Sequence, residues 1–231
     1  LLQEKYVDIY TESQSSLLHY AASFGYSGIV KLLIDQGADI ETQVESYGTP
    51  LQAAISSGKL EIVKLLIEKG ANVSAQSSKF GSALQVAVSE GHMEIVHFLV
   101  DKGAFISDED AFYGTALQTA TYHGELEIVK FLLENGAEPN AKGGYYGTAL
   151  QAAAASGNLR LLKLLIGYGA DVKTSGGQYG NALTAAAVEG HLETVKYLVE
   201  KGADIRVQSD KYGTALQAAE FHGHSEIVTF L

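Results

Sequence analysis

The feature of this sequence that most constrains its fold is a pattern that returns every 33 residues. Gly-Ala pairs keep this step without a break, with their glycines at Gly37, Gly70, Gly103, Gly136, Gly169 and Gly202. An aromatic-Gly pair keeps the same step, with its ring at Tyr47, Phe80, Tyr113, Tyr146, Tyr179 and Tyr212. Self-similarity at a fixed period of this length is typical of arrays in which each unit packs on its neighbours. The chain is therefore best analysed one unit at a time.

Each unit contains two apolar patterns separated by glycine. The first is short and alanine-rich, as in "TALQAAAASG", and the second has helical period, as in "LEIVKFLLENGA". In the second, Ile128, Val129, Leu132 and Leu133 form one stripe, with Glu127 and Lys130 off it. A glycine after each pattern suits a left-handed helix end. The polar, glycine-rich stretch that remains predicts a hairpin, so the unit is helix, turn, helix, hairpin.

A small polar residue precedes each alanine-rich run, where its side chain is expected to cap the helix. These residues are Thr49, Ser82, Thr115, Thr148, Asn181 and Thr214. The alanines that follow are small enough to let neighbouring helices approach closely, and the repeated aromatic is expected to pack between units.

The repeat resembles the ankyrin repeat in its period, in "TPLQAA" at Thr49–Ala54 and in "GHLETVKYLVEKGADI" at Gly190–Ile205. The resemblance implies an all-α repeat solenoid of antiparallel helix pairs joined by β-hairpin-like loops. The His usual after the first leucine survives only at His19, and Gln mostly replaces it, as at Gln52. The pattern "GGxYGxALQAA" is similar to fungal ankyrin arrays, particularly those that end NACHT-type, NLR-like immune-receptor proteins.

The period predicts about seven units within residues 13–231: 13–44, 45–77, 78–110, 111–143, 144–176, 177–209 and a truncated 210–231. Residues 1–12 resemble the degenerate end of an upstream repeat or a cap, because "LLQEKYVDI" echoes "LLIDQGADI". The last unit stops inside its second helix. We therefore expect a segment of a longer protein.

Composition excludes several classes of function. A formal net charge of −11 disfavours nucleic acid and anionic membrane as partners. With no cysteine, disulfides and thiolate metal sites are excluded, and an intracellular, cytoplasmic protein is expected. No apolar run is long enough to cross a bilayer.

The chain offers no catalytic or metal-binding motif, and we expect no enzyme activity, cofactor or metal. His92, His191 and His224 follow the turn glycine at one repeat position, which indicates hydrogen bonding at the turn. His97 replaces a lysine on the outer face of a second helix and is expected to be solvated. No zinc spacing or nucleophile elbow accompanies these histidines.

The candidate binding residues are those that differ between repeats. Two aromatic-His pairs, Tyr122-His123 and Phe221-His222, stand three repeats apart at the ends of first helices, with alanines between them. One hypothesis is that an extended peptide or a helix lies across this surface, anchored by Tyr122 and Phe221. The alternative is that both rings fold over the adjacent turn.

Hairpin tips supply a second set of candidates, namely Asp108, Asp110, Phe112 and Tyr145. An acidic tip beside an aromatic would suit a basic peptide, but a solvated charge cluster is the favoured interpretation.

The predicted function is a non-enzymatic protein–protein interaction module. As the family resemblance implies, a protein or peptide binds the concave face made by hairpin tips and first helices. The alternative is a structural or autoinhibitory brace that packs against other domains of a larger signalling protein.

Overall fold

The first helix of a repeat begins directly after a side chain that caps it, as predicted. In each case the cap's side-chain oxygen accepts a hydrogen bond from a backbone N–H in the first turn, so an orphan donor is satisfied. The caps are Thr49, Ser82, Thr115, Thr148, Asn181 and Thr214.

The computed structural model describes residues 17–44, 48–77, 81–110 and 114–231, and it divides into unit 1 (Leu1–Phe105) and unit 2 (Ile106–Leu231). In unit 1 the elements are α1 (residues 17–24), α2 (Ser27–Asp35), α3 (Pro50–Ser56), α4 (Leu60–Glu68), β1 (Gln76–Ser77), β2 (Gly81–Ser82), α5 (Ala83–Ser89) and α6 (Met93–Asp101). The odd-numbered helices are the first helices of their repeats.

Unit 2 continues the same order, and its odd-numbered helices are again first helices. Its elements are β3 (Glu109–Asp110), β4 (Gly114–Thr115), α7 (Ala116–His123), α8 (Leu126–Glu134), α9 (Ala149–Ala155), α10 (Leu159–Gly167), β5 (Ser175–Gly176), β6 (Gly180–Asn181), α11 (Ala182–Val188), α12 (Leu192–Glu200), α13 (Ala215–His222) and α14 (Ser225–Phe230).

Short antiparallel hairpins lead into the first helices. β1 pairs with β2, β3 with β4 and β5 with β6, each over two residues per strand. Elsewhere the hairpin is a single antiparallel bridge, as between Gly143 and Gly147 or between Ser209 and Gly213. The predicted order of helix, turn, helix and hairpin is confirmed.

The core differs between the two helices of a repeat. The first helices are buried almost all round: Ala152, Ala153 and Ala154 of α9 are at most 1% exposed. The second helices bury one stripe, and in α8 this stripe is the predicted one, Ile128, Val129, Leu132 and Leu133. Because the alanine side chains of α9 are small, they do not hold the neighbouring helices apart, and adjacent repeats pack closely.

The repeated aromatic packs between repeats of unit 2, as predicted. Tyr146 stacks on Tyr179 with ring centroids 6.1 Å apart, and Tyr179 stacks on Tyr212 at 5.7 Å. The equivalent residues Tyr47, Phe80 and Tyr113 lie outside the described residues, as does segment 1–12. The predicted repeat boundaries stay a prediction. Among the described helices, none is long and apolar enough to cross a membrane.

Candidate protein-binding face

A row of buried glutamines sets the position of each hairpin tip against the preceding first helix. Gln151 closes a capping box with Thr148: its Oε1 accepts from the Thr148 N–H at 2.9 Å, and its own N–H donates to the threonine hydroxyl. Its Nε2 donates to the next hairpin, to Gly176 O at 3.1 Å and Gly180 O at 3.4 Å. Since Gln151 is fully buried, these bonds fix the two repeats together.

The same double role recurs along the chain. Gln52 donates to Gly81 O at 2.9 Å in unit 1, and Gln118 donates to Gly147 O at 2.9 Å in unit 2. In the sequence these glutamines stand out only as departures from the usual His. The available signal was the spacing Ser/Thr-x-x-Gln, which is the pattern of a capping box.

Two of the three turn histidines, His191 and His224, hydrogen-bond with a helix carbonyl, whereas His92 Nε2 is buried without a hydrogen-bond partner in the described part of the chain. His191 Nε2 lies 3.0 Å from Ala155 O, and His224 Nε2 lies 2.9 Å from Val188 O. Each ring thus serves the last carbonyl of the preceding first helix, in the neighbouring repeat and not in its own turn. His97 is exposed, as predicted.

Tyr122 lies over the hairpin of the following repeat. Its ring centroid is 5.3 Å from that of Tyr146, its side chain hydrogen-bonds with Tyr146, and the ring is still 40% exposed. The His123 ring packs edge-on against the Tyr122 ring, with centroids 5.1 Å apart. Burial, together with the neighbouring Tyr122 and Tyr145, raises the pKa of Tyr146 to about 12. The Tyr122 ring is therefore held in a fixed position, while part of its surface stays accessible.

Two repeats further along the chain, a carboxylate joins the tyrosines. The Tyr179 hydroxyl donates to Glu189 Oε1 at 2.7 Å. Burial first, and this bond second, raise the pKa of Tyr179 well above its usual range. Tyr179 is only 6% exposed, whereas Glu189 is exposed. A buried hydroxyl thus holds an exposed carboxylate in one place, an arrangement that sequence analysis did not find.

Phe221, the second predicted anchor, is 85% exposed. Its ring packs edge-on against His222 at 5.2 Å, and the His222 ring lies 6.1 Å from Tyr212. With Lys211, Tyr212, Gln217 and Ala218 it lines a cavity of about 450 Å³. Lys211 Nζ lies 4.7 Å from the Tyr212 ring centroid, and a hydrogen bond with Tyr212 raises the pKa of this lysine.

The predicted hairpin residues are spread out. Tyr145 is 36% exposed and packs edge-on against Tyr146 at 5.0 Å, so it joins the tyrosine cluster. Asp108 is half-buried in the segment before β3. Phe112 and the side chain of Asp110 lie outside the described residues.

We name the surface formed by the ends of α7, α9, α11 and α13 and by the tyrosine hairpins the first-helix face of unit 2. None of these four helices contains Lys or Arg. The second helices α8, α10 and α12, in contrast, carry Lys130, Arg160, Lys163 and Lys196. The face is therefore aromatic and small in its side chains, with acidic groups at Glu189 and Glu220.

Metal chemistry has no evident place on this face. Across the part of the chain that the structure describes, no group of three or more His, Asp or Glu side chains is placed to hold a metal ion. Of the turn histidines, His191 and His224 already serve backbone carbonyls, whereas the Nε2 atom of His92 has no hydrogen-bond partner among the described residues.

The fold defines a helical repeat protein, and comparison with known proteins identifies its class. A family model described as "Ankyrin repeats (3 copies)" matches residues 1–77, 76–143 and 146–231. The chain belongs to the ankyrin repeat family, whose domains are in general non-enzymatic protein–protein interaction modules.

A solved structure agrees with this assignment. The chain is similar to the crystal structure of the human ASB11 ankyrin repeat domain, with a TM-score of 0.79 and 25% sequence identity, over 92% of this chain and 96% of that one. A sequence comparison with curated proteins finds no match.

Proposed function

We propose that this chain binds a protein or peptide on the first-helix face of unit 2. The observation that carries the proposal is the placement of its aromatic side chains. Tyr122, Tyr145 and Phe221 are between 36% and 85% exposed on one face, although the surrounding alanines and leucines are buried. Exposed rings with restricted rotamers are the usual anchors of protein interfaces, and smaller neighbours mainly exclude water.

The two anchors differ in how they would act. Tyr122 is already held by Tyr146, so its position is set before a partner arrives and little rotamer entropy is lost on binding. Phe221 is exposed beside an open cavity and would bury most of its ring only in a complex. On binding, Tyr122 would therefore fix the position of the partner along the face, and Phe221 would bury the larger apolar area.

The test is a pull-down with crosslinking, which compares the wild type with the double variant Tyr122→Ala and Phe221→Ala. A partner that depends on the face is captured by the wild type and lost with the double variant. Tyr168→Ala is the matched control, because Tyr168 has the same 40% exposure but lies at the end of the second helix α10. Equal capture by all three proteins would contradict the proposal. Capture only of another region of the same polypeptide, dependent on the same two rings, would favour an internal brace.

We also propose that the repeats act inside the cell, in the cytoplasm, as part of a fungal, NLR-like protein. The support is the "GGxYGxALQAA" pattern and the absence of cysteine from all 231 residues. Sequencing of the full-length transcript tests this setting, and an extracellular receptor architecture would overturn it.

A further inference from the structure

The first-helix face of unit 2 carries small side chains between its two predicted anchors, Tyr122 and Phe221. Ala155 ends α9 at the repeat position that Tyr122 holds in α7 and Phe221 holds in α13. In the repeat between α9 and α13, Val188 of α11 holds this position, so Ala155 and Val188 put small side chains between the two rings. Tyr122 packs on Tyr146, Tyr146 stacks on Tyr179, and the Tyr179 hydroxyl donates a hydrogen bond to Glu189. We call the surface formed by these four residues the Glu189 notch.

The chemistry of the Glu189 notch is aromatic and anionic. Tyr122, Tyr146 and Tyr179 form a continuous chain of rings, with centroid distances of 5.3 Å and 6.1 Å. The Tyr179 hydroxyl occupies one acceptor position of Glu189 Oε1. A carboxylate has two oxygens and about four acceptor sites, so most of its capacity remains for a donor from outside.

The charge of Glu189 acts on the notch. It contributes to raising the pKa values of both Tyr146 and Tyr179, so its field reaches both rings. Among the described residues of unit 2, no ion pair includes Glu189. The pairs lie on or beside second helices or at a hairpin, and they are Lys130–Glu134, Lys196–Glu193, Lys201–Glu200 and Arg206–Asp204. In the tyrosine row, the ammonium of Lys211 lies over the Tyr212 ring.

The position of Lys211 shows that a tyrosine of this stack can contact a cation. Its ammonium lies 4.7 Å from the Tyr212 centroid, a cation–π contact within the same stack of rings. The repeat position that precedes the stacked tyrosine holds Tyr145 and Gln178 in the two earlier repeats, and neither of these side chains carries a positive charge.

We propose that the Glu189 notch binds an arginine side chain of the partner, and this inference rests on the proposed function of the face. A guanidinium forms paired hydrogen bonds with a carboxylate such as Glu189 and packs on an exposed aromatic ring, which the 40% exposed Tyr122 offers. The formal charge of −11 attracts basic partners to the chain as a whole, and the notch gives that attraction one specific contact.

The experiment is selection of random 12-residue peptides, displayed on phage, against the wild-type chain. Bound phage are counter-selected with the double variant Tyr122→Ala and Phe221→Ala, so that only peptides dependent on the face remain. The expected result is a set of sequences that share arginine at one fixed position. A selected peptide is then synthesised with arginine, lysine or citrulline at that position, and its affinity is measured by titration calorimetry.

Glu189→Gln provides the decisive comparison, because a glutamine oxygen still accepts from Tyr179 and the fold is kept. We expect citrulline to weaken binding to the wild type at least tenfold and to have little further effect on Glu189→Gln. Glu193→Gln on α12, an exposed acid paired with Lys196, is the matched control and keeps the full arginine preference.

The failures are distinguishable. Face-dependent peptides without a shared arginine, or an arginine preference that Glu189→Gln leaves intact, overturn the notch and leave the proposed function standing. If selection returns no peptide that depends on Tyr122 and Phe221, both proposals fail. A lysine peptide that binds as tightly as the arginine peptide contradicts paired guanidinium recognition.

Discussion

On the first-helix face and on the second-helix side of unit 2, the same 33-residue repeat gives two different kinds of surface. The second helices α8 and α12 repeat an amphipathic pattern, and their outer faces carry exposed ion pairs such as Lys196–Glu193. The first-helix face buries most of its repeated Thr, Gln and Ala residues, as in α9 and the residue before it, and exposes Tyr122, Glu189 and Phe221. Periodicity thus accounts for stability on both sides, whereas variation is concentrated on one.

The largest expected loss of stability comes from adding a Cβ atom at a glycine of the hairpin. Gly147 has φ +91°, and an added Cβ would lie 2.7 Å from Gly177 N and 2.8 Å from the Gly176 carbonyl carbon. Gly147→Ala should destabilise the fold by about 2–5 kcal/mol through left-handed strain and overpacking against backbone. Gly169, after the second helix, has φ +93° and open space around it, so Gly169→Ala should cost only about 1–2 kcal/mol. Denaturant titration measures both, and equal losses would show that crowding at the hairpin is unimportant.

A smaller effect is expected from the buried glutamines. Gln151→Ala removes a capping box and leaves hairpin carbonyls without their donor, which should cost about 2–4 kcal/mol. Gln217 makes the same capping box with Thr214 but is exposed, so Gln217→Ala should cost about 1 kcal/mol. The difference in free energy of unfolding measures the inter-repeat bond. If the two variants lose equal stability, the bonds to Gly176 and Gly180 contribute nothing.

Alkaline pH should weaken the first-helix face next. The pKa of Tyr146 is raised to about 12 and that of Tyr179 is raised further, mainly by burial, so the fold favours the protonated hydroxyls. Their stabilisation is complete below the unfolded value of about 10 and is lost as pH rises through the folded values. Denaturation midpoints from pH 9 to 12 should fall steeply for the wild type and less steeply for Tyr179→Phe. Tyr168→Phe, on the second-helix side, serves as the control, and an unchanged slope in Tyr179→Phe would contradict this account.

The smallest effect is expected on the second-helix side. Lys196→Met breaks the pair with Glu193, but both side chains are well exposed, at 43% and 72%. Surface pairs of this kind contribute about 0–0.5 kcal/mol, so the melting temperature should change very little. Thermal unfolding measured by circular dichroism checks this. A loss above about 1 kcal/mol would place the pair in a network with the rest of α12.

Much of the fold was predictable because it depends on local residues that recur. Thr148 predicted a helix start, Gly147 a turn, and the stripe Ile128, Val129, Leu132 and Leu133 a buried helix side, and the structure confirms each. Tyr122 and Phe221 were predicted from their divergence between repeats. The structure places both on one face of unit 2, while their role in binding stays a prediction.

The sequence by itself determined the family, the repeat period and the helices, since period, capping residue and glycine position act within one unit. Only the tertiary structure decided which distant side chains meet, within a repeat and between neighbouring repeats. The bond from Tyr179 to Glu189, the packing of Tyr122 on Tyr146 and the reach of Gln151 to the next hairpin join residues 10 to 29 positions apart. Their distances depend on how closely the alanine-lined helices approach each other, and that spacing is a property of packing and not of any local pattern.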